Sequence, residues 1–107
     1  MPFATSLGAR IYWEEEGQGD PLLMIMGLGY SLHMWREMRP MMARRFRAIV
    51  FDNRGVGSSD PPGGLISMAA MARDAAAVMD AAGVPTAHVL GMSMGGMIAQ
   101  ELTLTFP

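Results

Sequence analysis

Gly91-Met92-Ser93-Met94-Gly95 sets a hydroxyl between two glycines, immediately after the strand-like run Ala87-His88-Val89-Leu90. A serine so placed, at a turn from strand to helix, is forced into a strained conformation with its Oγ above the sheet edge, where it can attack an acyl carbon. Glycine is required on both sides because a side chain would crowd the tight turn. Met97, Ile98, Glu101, Leu102 and Thr105 follow at helical spacing and supply the helix that the turn needs. A glycine-rich loop with an incidental serine would need neither the strand before nor the helix after. The turn is therefore the preferred reading, and it predicts φ > 0 at Ser93.

The elements that must position this turn are legible upstream. Pro21-Leu22-Leu23-Met24-Ile25-Met26 is apolar without alternation, the pattern of a central parallel strand covered on both faces. Gly27-Leu28-Gly29 ends it with small residues, so backbone N–H groups can turn toward a ligand. Arg47 to Phe51 is the next buried strand, closed by Asp52-Asn53-Arg54-Gly55. Arg10 to Glu14 alternates polar and apolar residues, which predicts a half-exposed strand, with a hairpin turn at Leu7-Gly8 leading from a short first strand. Glu15 to Asp20 reads as a loop, and the acidic run Glu14 to Glu16 as a solvated strand end rather than a metal site. Ser31 can cap a helix carrying Leu32, Trp35, Met38 and Met42, which Pro40 should kink or split in two. Pro61-Pro62-Gly63-Gly64 reads as a loop within one strand-helix pattern. Ser67 caps a second helix with Met68, Met71, Ala72, Ala75, Val78, Met79 and Ala82 on one face, stopped by Gly83 and Pro85.

Three motifs stand in order: Met26-Gly27-Leu28-Gly29, then Asp52-Asn53-Arg54-Gly55-Val56-Gly57-Ser58-Ser59-Asp60, then the turn at Ser93. In this set the chain resembles the α/β-hydrolase superfamily, in the branch of enol-lactonases, small carboxylesterases and cofactor-free haloperoxidases. The resemblance implies an α/β fold, a mostly parallel sheet with an N-terminal antiparallel hairpin and flanking helices. Because that fold occupies about 250 residues or more, residues 1–107 are expected to be its N-terminal half, one partial domain that needs a C-terminal half. It also implies a serine hydrolase acting on esters, lactones or similar small-molecule acyl substrates. Ser93 would be the nucleophile and the backbone N–H groups of Leu28 and Met94 the oxyanion hole, with no cofactor and no metal. Members of the branch carry His-Gly where this chain has Met26-Gly27. The family takes its base and its acid from later strands, so His33, His88 and Asp52 are not expected to serve as either. Perhydrolysis and C–C bond hydrolysis would use the same three motifs.

Composition narrows the alternatives. A net charge of −2 offers no basic field for nucleic acid, and the absence of cysteine removes disulfides and thiolate metal sites. The longest apolar run, near Leu22 to Tyr30, is too short to span a bilayer, and Met1 to Ser6 lacks the charged start of a secretion signal, so a cytoplasmic protein is expected. The 13 methionines read as core filling, with Met26, Met92 and Met94 as candidates to border an acyl pocket. Two rivals remain. A non-catalytic fragment or binding module would share the fold. A dinucleotide-binding unit would use Gly27, Gly29 and Asp52, but its third glycine would fall at Leu32.

Overall fold

The computed structural model describes residues 2–27, 30–60 and 67–106. Its strands are β1 (Phe3–Ser6), β2 (Ala9–Glu16), β3 (Asp20–Ile25), β4 (Phe46–Phe51) and β5 (His88–Gly91). Its helices are α1 (Met38–Ala43), α2 (Met68–Ala82) and α3 (Met94–Thr105), with a 3₁₀ turn at Leu32–Trp35. The sheet order is β1-β2-β4-β3-β5. β1, β2 and β4 pair antiparallel, whereas β3 runs parallel to both β4 and β5.

The hairpin forms because Leu7 and Gly8 both take positive φ, 48° and 80°, the backbone sense that matches the twist of the flanking strands. Along β3 successive side chains serve two cores. Leu23 and Ile25 pack under α2 and α3, while Leu22, Met24 and Met26 pack against Leu32 and Trp35 on the other face. The same division corrects the expectation for β2. Ile11 and Trp13 enter one core and Tyr12 the other, so this strand is interior rather than half-exposed, because helices cover both faces of the sheet.

β2 also runs on through Glu15 and Glu16, which were expected in a loop, and Asp20 already belongs to β3. Pairing with β4, Glu15 opposite Ile49 and Glu16 opposite Ala48, accounts for the extension, and salt bridges from β4 and α1 reinforce it. Glu15 pairs with Arg47 at 2.6 Å, and Arg39 bridges Glu14 at 2.7 Å and Glu16 at 3.1 Å. Glu14 is half-buried, and the Tyr12 hydroxyl and Arg39 hold its carboxyl below the ordinary range. Among the described residues no group of three or more His, Cys, Asp or Glu could hold a metal, and no helix is long and apolar enough to cross a membrane.

Pro40 splits the first helical stretch as expected. The 3₁₀ turn ends at Arg36, with φ 40°, and α1 starts afresh with Pro40 in its first turn, where no intrahelical N–H is needed. Ser67 caps α2 by accepting from the Ala70 N–H at 3.0 Å, and Gly83 ends it at φ 75°. The expected loop Pro61–Gly64 lies outside the described residues. One buried residue of α2, Asp74, was not anticipated. It receives Arg54 in a two-pronged pair, both contacts at 2.7 Å, and Arg54 also donates to the Ser6 carbonyl at 3.2 Å. Asp74→Ala would leave a buried guanidinium without its counter-charge. The expected loss is about 3–5 kcal/mol by urea unfolding, whereas Arg54→Met combined with Asp74→Leu should cost far less.

β5 stands at the edge of the sheet, as expected for the strand leading to Ser93. Val84, Ala87, Val89, Leu102 and Phe106 line an apolar groove along its outer flank. An open edge beside such a groove favours association between copies. Sedimentation velocity should show mass rising with concentration, and Val89→Lys should suppress the rise. A monomer at every concentration would show that the flank tolerates water.

Candidate active site

The turn at Ser93 is built from three close approaches. Ser93 has φ 56° and ψ −120°, the positive φ expected, in a region that costs on the order of 1–3 kcal/mol. Its neighbours hold it there. The Met92 N–H donates to the Ile25 carbonyl at 3.0 Å, Gly95 N–H to Met92 at 2.8 Å, and Gly96 N–H to Ser93 at 2.9 Å. A Cβ on Gly91 would lie 2.3 Å from the Gly95 carbonyl oxygen, and one on Gly95 only 2.1 Å from that of Ile25. Both clashes are with backbone, which explains why glycine occupies both places.

The end of β3 meets the same point. A Cβ on Gly27 would lie 3.2 Å from Ser93 Cβ and 3.7 Å from the Met94 nitrogen. Met94 is the first residue of α3, so its N–H has no intrahelical acceptor and sits at the positive end of the helix dipole. Leu28, the other expected donor, lies outside the described residues. Ser93 Oγ makes no capping bond to α3.

Of the titratable groups singled out in the sequence, Asp52 has both carboxylate oxygens occupied, whereas His33 lies on the 3₁₀ turn and His88 at the start of β5. His33 is exposed on the 3₁₀ turn, and its backbone N–H rests on Ser31 Oγ at 3.3 Å. His88 opens β5, three residues and about 10 Å of strand before Gly91, with its ring edge-on to Phe46. Asp52 is buried, its Oδ1 accepting from the Leu32 N–H at 2.7 Å and its Oδ2 from Ser58 N–H at 2.9 Å. Beside it, Asn53 Nδ2 donates to the Met26 carbonyl at 3.0 Å. In the sequence Asn53 stands only as a member of the motif Asp52 to Asp60, and nothing local indicates that its partner follows another strand.

Met26 is buried under Leu32 and Trp35 and borders no open pocket; Met94 is partly buried against the core beneath α2, and Met92 is exposed, at 45%. Among the described residues an apolar groove follows the outer flank of β5. The dinucleotide pattern also fails in space. Leu32 is fully buried where a glycine would be needed, and β3 leads into a 3₁₀ turn instead of a helix that could receive a pyrophosphate.

Residues 20–107 match the family model described as alpha/beta hydrolase fold. The chain is 42% identical over 107 residues to a protein of Azorhizobium caulinodans named "Putative carbamate hydrolase RutD", covering 100% of this chain and 40% of that one. Among solved structures, Est816, an N-acyl homoserine lactone degrading enzyme, superposes with a TM-score of 0.91 at 35% identity, over 96% of this chain and 40% of its own. A hydrolase from Pseudomonas aeruginosa PA01 gives 0.90 at 37% identity, over 96% and 40%. The chain thus spans 40% of the length of these relatives, and the part it matches is N-terminal.

The glycine contacts generate a paired prediction. Gly95→Ala should destabilise by about 3 kcal/mol or more, since its methyl meets the Ile25 carbonyl and backbone must move. Gly96→Ala meets nothing closer than 3.7 Å and should stabilise α3 by about 0.5–1 kcal/mol. Urea midpoints of the two variants should therefore move in opposite directions; equal shifts would contradict the close packing of the turn.

Proposed function

The chain belongs to the alpha/beta hydrolase fold family, and on that premise we propose that it is the nucleophile-bearing part of a serine hydrolase acting on carboxylic esters, lactones or similar small acyl substrates. The observation that carries this is the strained Ser93, held at φ 56° at the mouth of α3 with the Met94 N–H beside it. Strain of that kind persists only where surrounding structure enforces it, and it clusters at functional sites. Relatives named for a carbamate hydrolase and for degradation of an acyl lactone support an acyl carbon as the point of attack.

In this reading Ser93 Oγ adds to the acyl carbon while a base takes its proton. The oxyanion rests on the N–H groups of Leu28 and Met94, and the alcohol leaves with a proton returned by the base. Water then attacks the acyl-enzyme and releases the acid. Residues 1–107 form part of one domain, and the base and its orienting acid come from the portion present in the longer relatives.

The 107-residue chain alone is accordingly expected to be almost inert. In a comparable triad enzyme, loss of the base costs on the order of 10⁶ in turnover. Oxyanion stabilisation and binding can leave roughly 10³–10⁴ over the uncatalysed rate, but only with a formed pocket. Ester hydrolysis should be assayed for the chain, for its Ser93→Ala variant, and for both extended with the C-terminal strands of the relatives. Turnover should emerge on extension and vanish with Ser93→Ala. Activity of the short chain that depends on Ser93 would mean a base is already present, with His33 the first suspect. An extended chain that folds and neither turns over nor reacts with an organophosphonate would make this a binding module instead.

A further inference from the structure

We propose that Asp52 and Asn53 are positioning residues for the reaction at Ser93, holding the Met26 carbonyl and the Leu32 N–H and so fixing where Gly27 stands against the nucleophile. This rests on Ser93 being the nucleophile. Asn53 Nδ2 grips the Met26 carbonyl at 3.0 Å, and Asp52 Oδ1 grips the Leu32 N–H at 2.7 Å. The first anchor is the peptide that leads into Gly27. Gly27 is the residue whose Cβ would meet Ser93 at 3.2 Å, and the Tyr30 N–H turns back to the Gly27 carbonyl at 3.4 Å.

The anchors are themselves fixed. Asp52 and Asn53 are 2% and 1% exposed, too buried for water to replace their bonds. The second carboxylate oxygen of Asp52 takes the Ser58 N–H at 2.9 Å, and Gly57 has φ 54° and no side chain because a Cβ there would sit 2.3 Å from that oxygen. Arg54, the next residue, is locked to Asp74 of α2. At the far end of the loop, Ser59 Oγ accepts from the Tyr12 N–H at 2.9 Å and donates to the Asp52 carbonyl, while Asp60 pairs with Arg10. The loop 52–60 is thus a platform bound to β2 and α2, and its leading pair of side chains reaches across to the chain beside Ser93.

A carboxylate suits this role because both its oxygens accept. An amide at position 52 can accept from Leu32 or from Ser58 but not from both, so Asp52→Asn breaks one anchor while keeping shape. A displacement near 1 Å at a reacting centre can lower rate by about 10², which sets the size of effect to seek.

The test uses the C-terminally extended chain. Ser93→Ala comes first: undiminished turnover in that variant overturns the nucleophile assignment, independently of position 52. With Ser93 essential, kcat is measured per active site titrated to completion with a fluorophosphonate, for Asp52→Asn, Asn53→Ala and Gly57→Ala. The expected result is a fall of about 10² in kcat with KM within threefold, and a pH profile unchanged because the base is untouched. Hydrogen exchange supplies the second readout. The Leu32 amide should exchange at least about tenfold faster in Asp52→Asn while Ile49 and Val50 of β4 keep their protection. Should Asp52→Asn fail to fold, Asn53→Ala decides. Parent kcat per titrated site, with only a lowered melting temperature, would reduce these residues to fold stabilisers and overturn the proposal.

Discussion

The first turn of α3 lies so close to the end of β3 that a single methyl at Gly95 would reach 2.1 Å from the Ile25 carbonyl oxygen. The turn at Ser93 depends on that approach. It lets the Met92 N–H bond to Ile25, which in turn fixes where β5 stops and how sharply the chain must turn into α3. Ser93 takes up the strain of the turn. Such strain, on the order of 1–3 kcal/mol, is offset by burying Ile98 and Leu102 of α3 against the sheet. The geometry of Ser93 is therefore a consequence of packing, not of any preference of serine.

The same edge is consolidated by polar groups taken out of water. Arg54 and Asp74 form a buried pair, and Asp52 satisfies both carboxylate oxygens with backbone N–H groups. Charges withdrawn from water are tolerated only when paired or hydrogen-bonded, and in return they accept one geometry. The loop 52–60 has little apolar surface with which to hold a shape. Its directional bonds do so instead, linking β2, α2 and the chain beyond β3.

The sheet is uneven. On one side β5 pairs with β3, while its other side faces an apolar groove under Val89, Leu102 and Phe106. An edge strand with an apolar flank is the surface that a further strand covers. The relatives named above are more than twice this length.

Much of this was determined by local sequence. A serine between glycines after a short strand specifies the turn, because sterics within five residues leave few alternatives. The two-residue hairpin at Leu7-Gly8, the break at Pro40 and the caps at Ser67 and Gly83 are likewise local, each set by backbone sterics or by one hydrogen bond near in sequence. The continuous apolar run Leu22 to Met26 announced a strand buried on both faces. Burial of Tyr12 together with Trp13 was decided only in three dimensions, since alternation cannot tell a strand covered on one face from one covered on both. Distance in sequence hid the rest. Arg54 meets Asp74 and Asn53 meets Met26 across elements, and Met26 turns inward although a methionine suits a pocket wall as well as a core. A pattern can name the residue that must be strained, but only the packed sheet supplies the partners that hold it so.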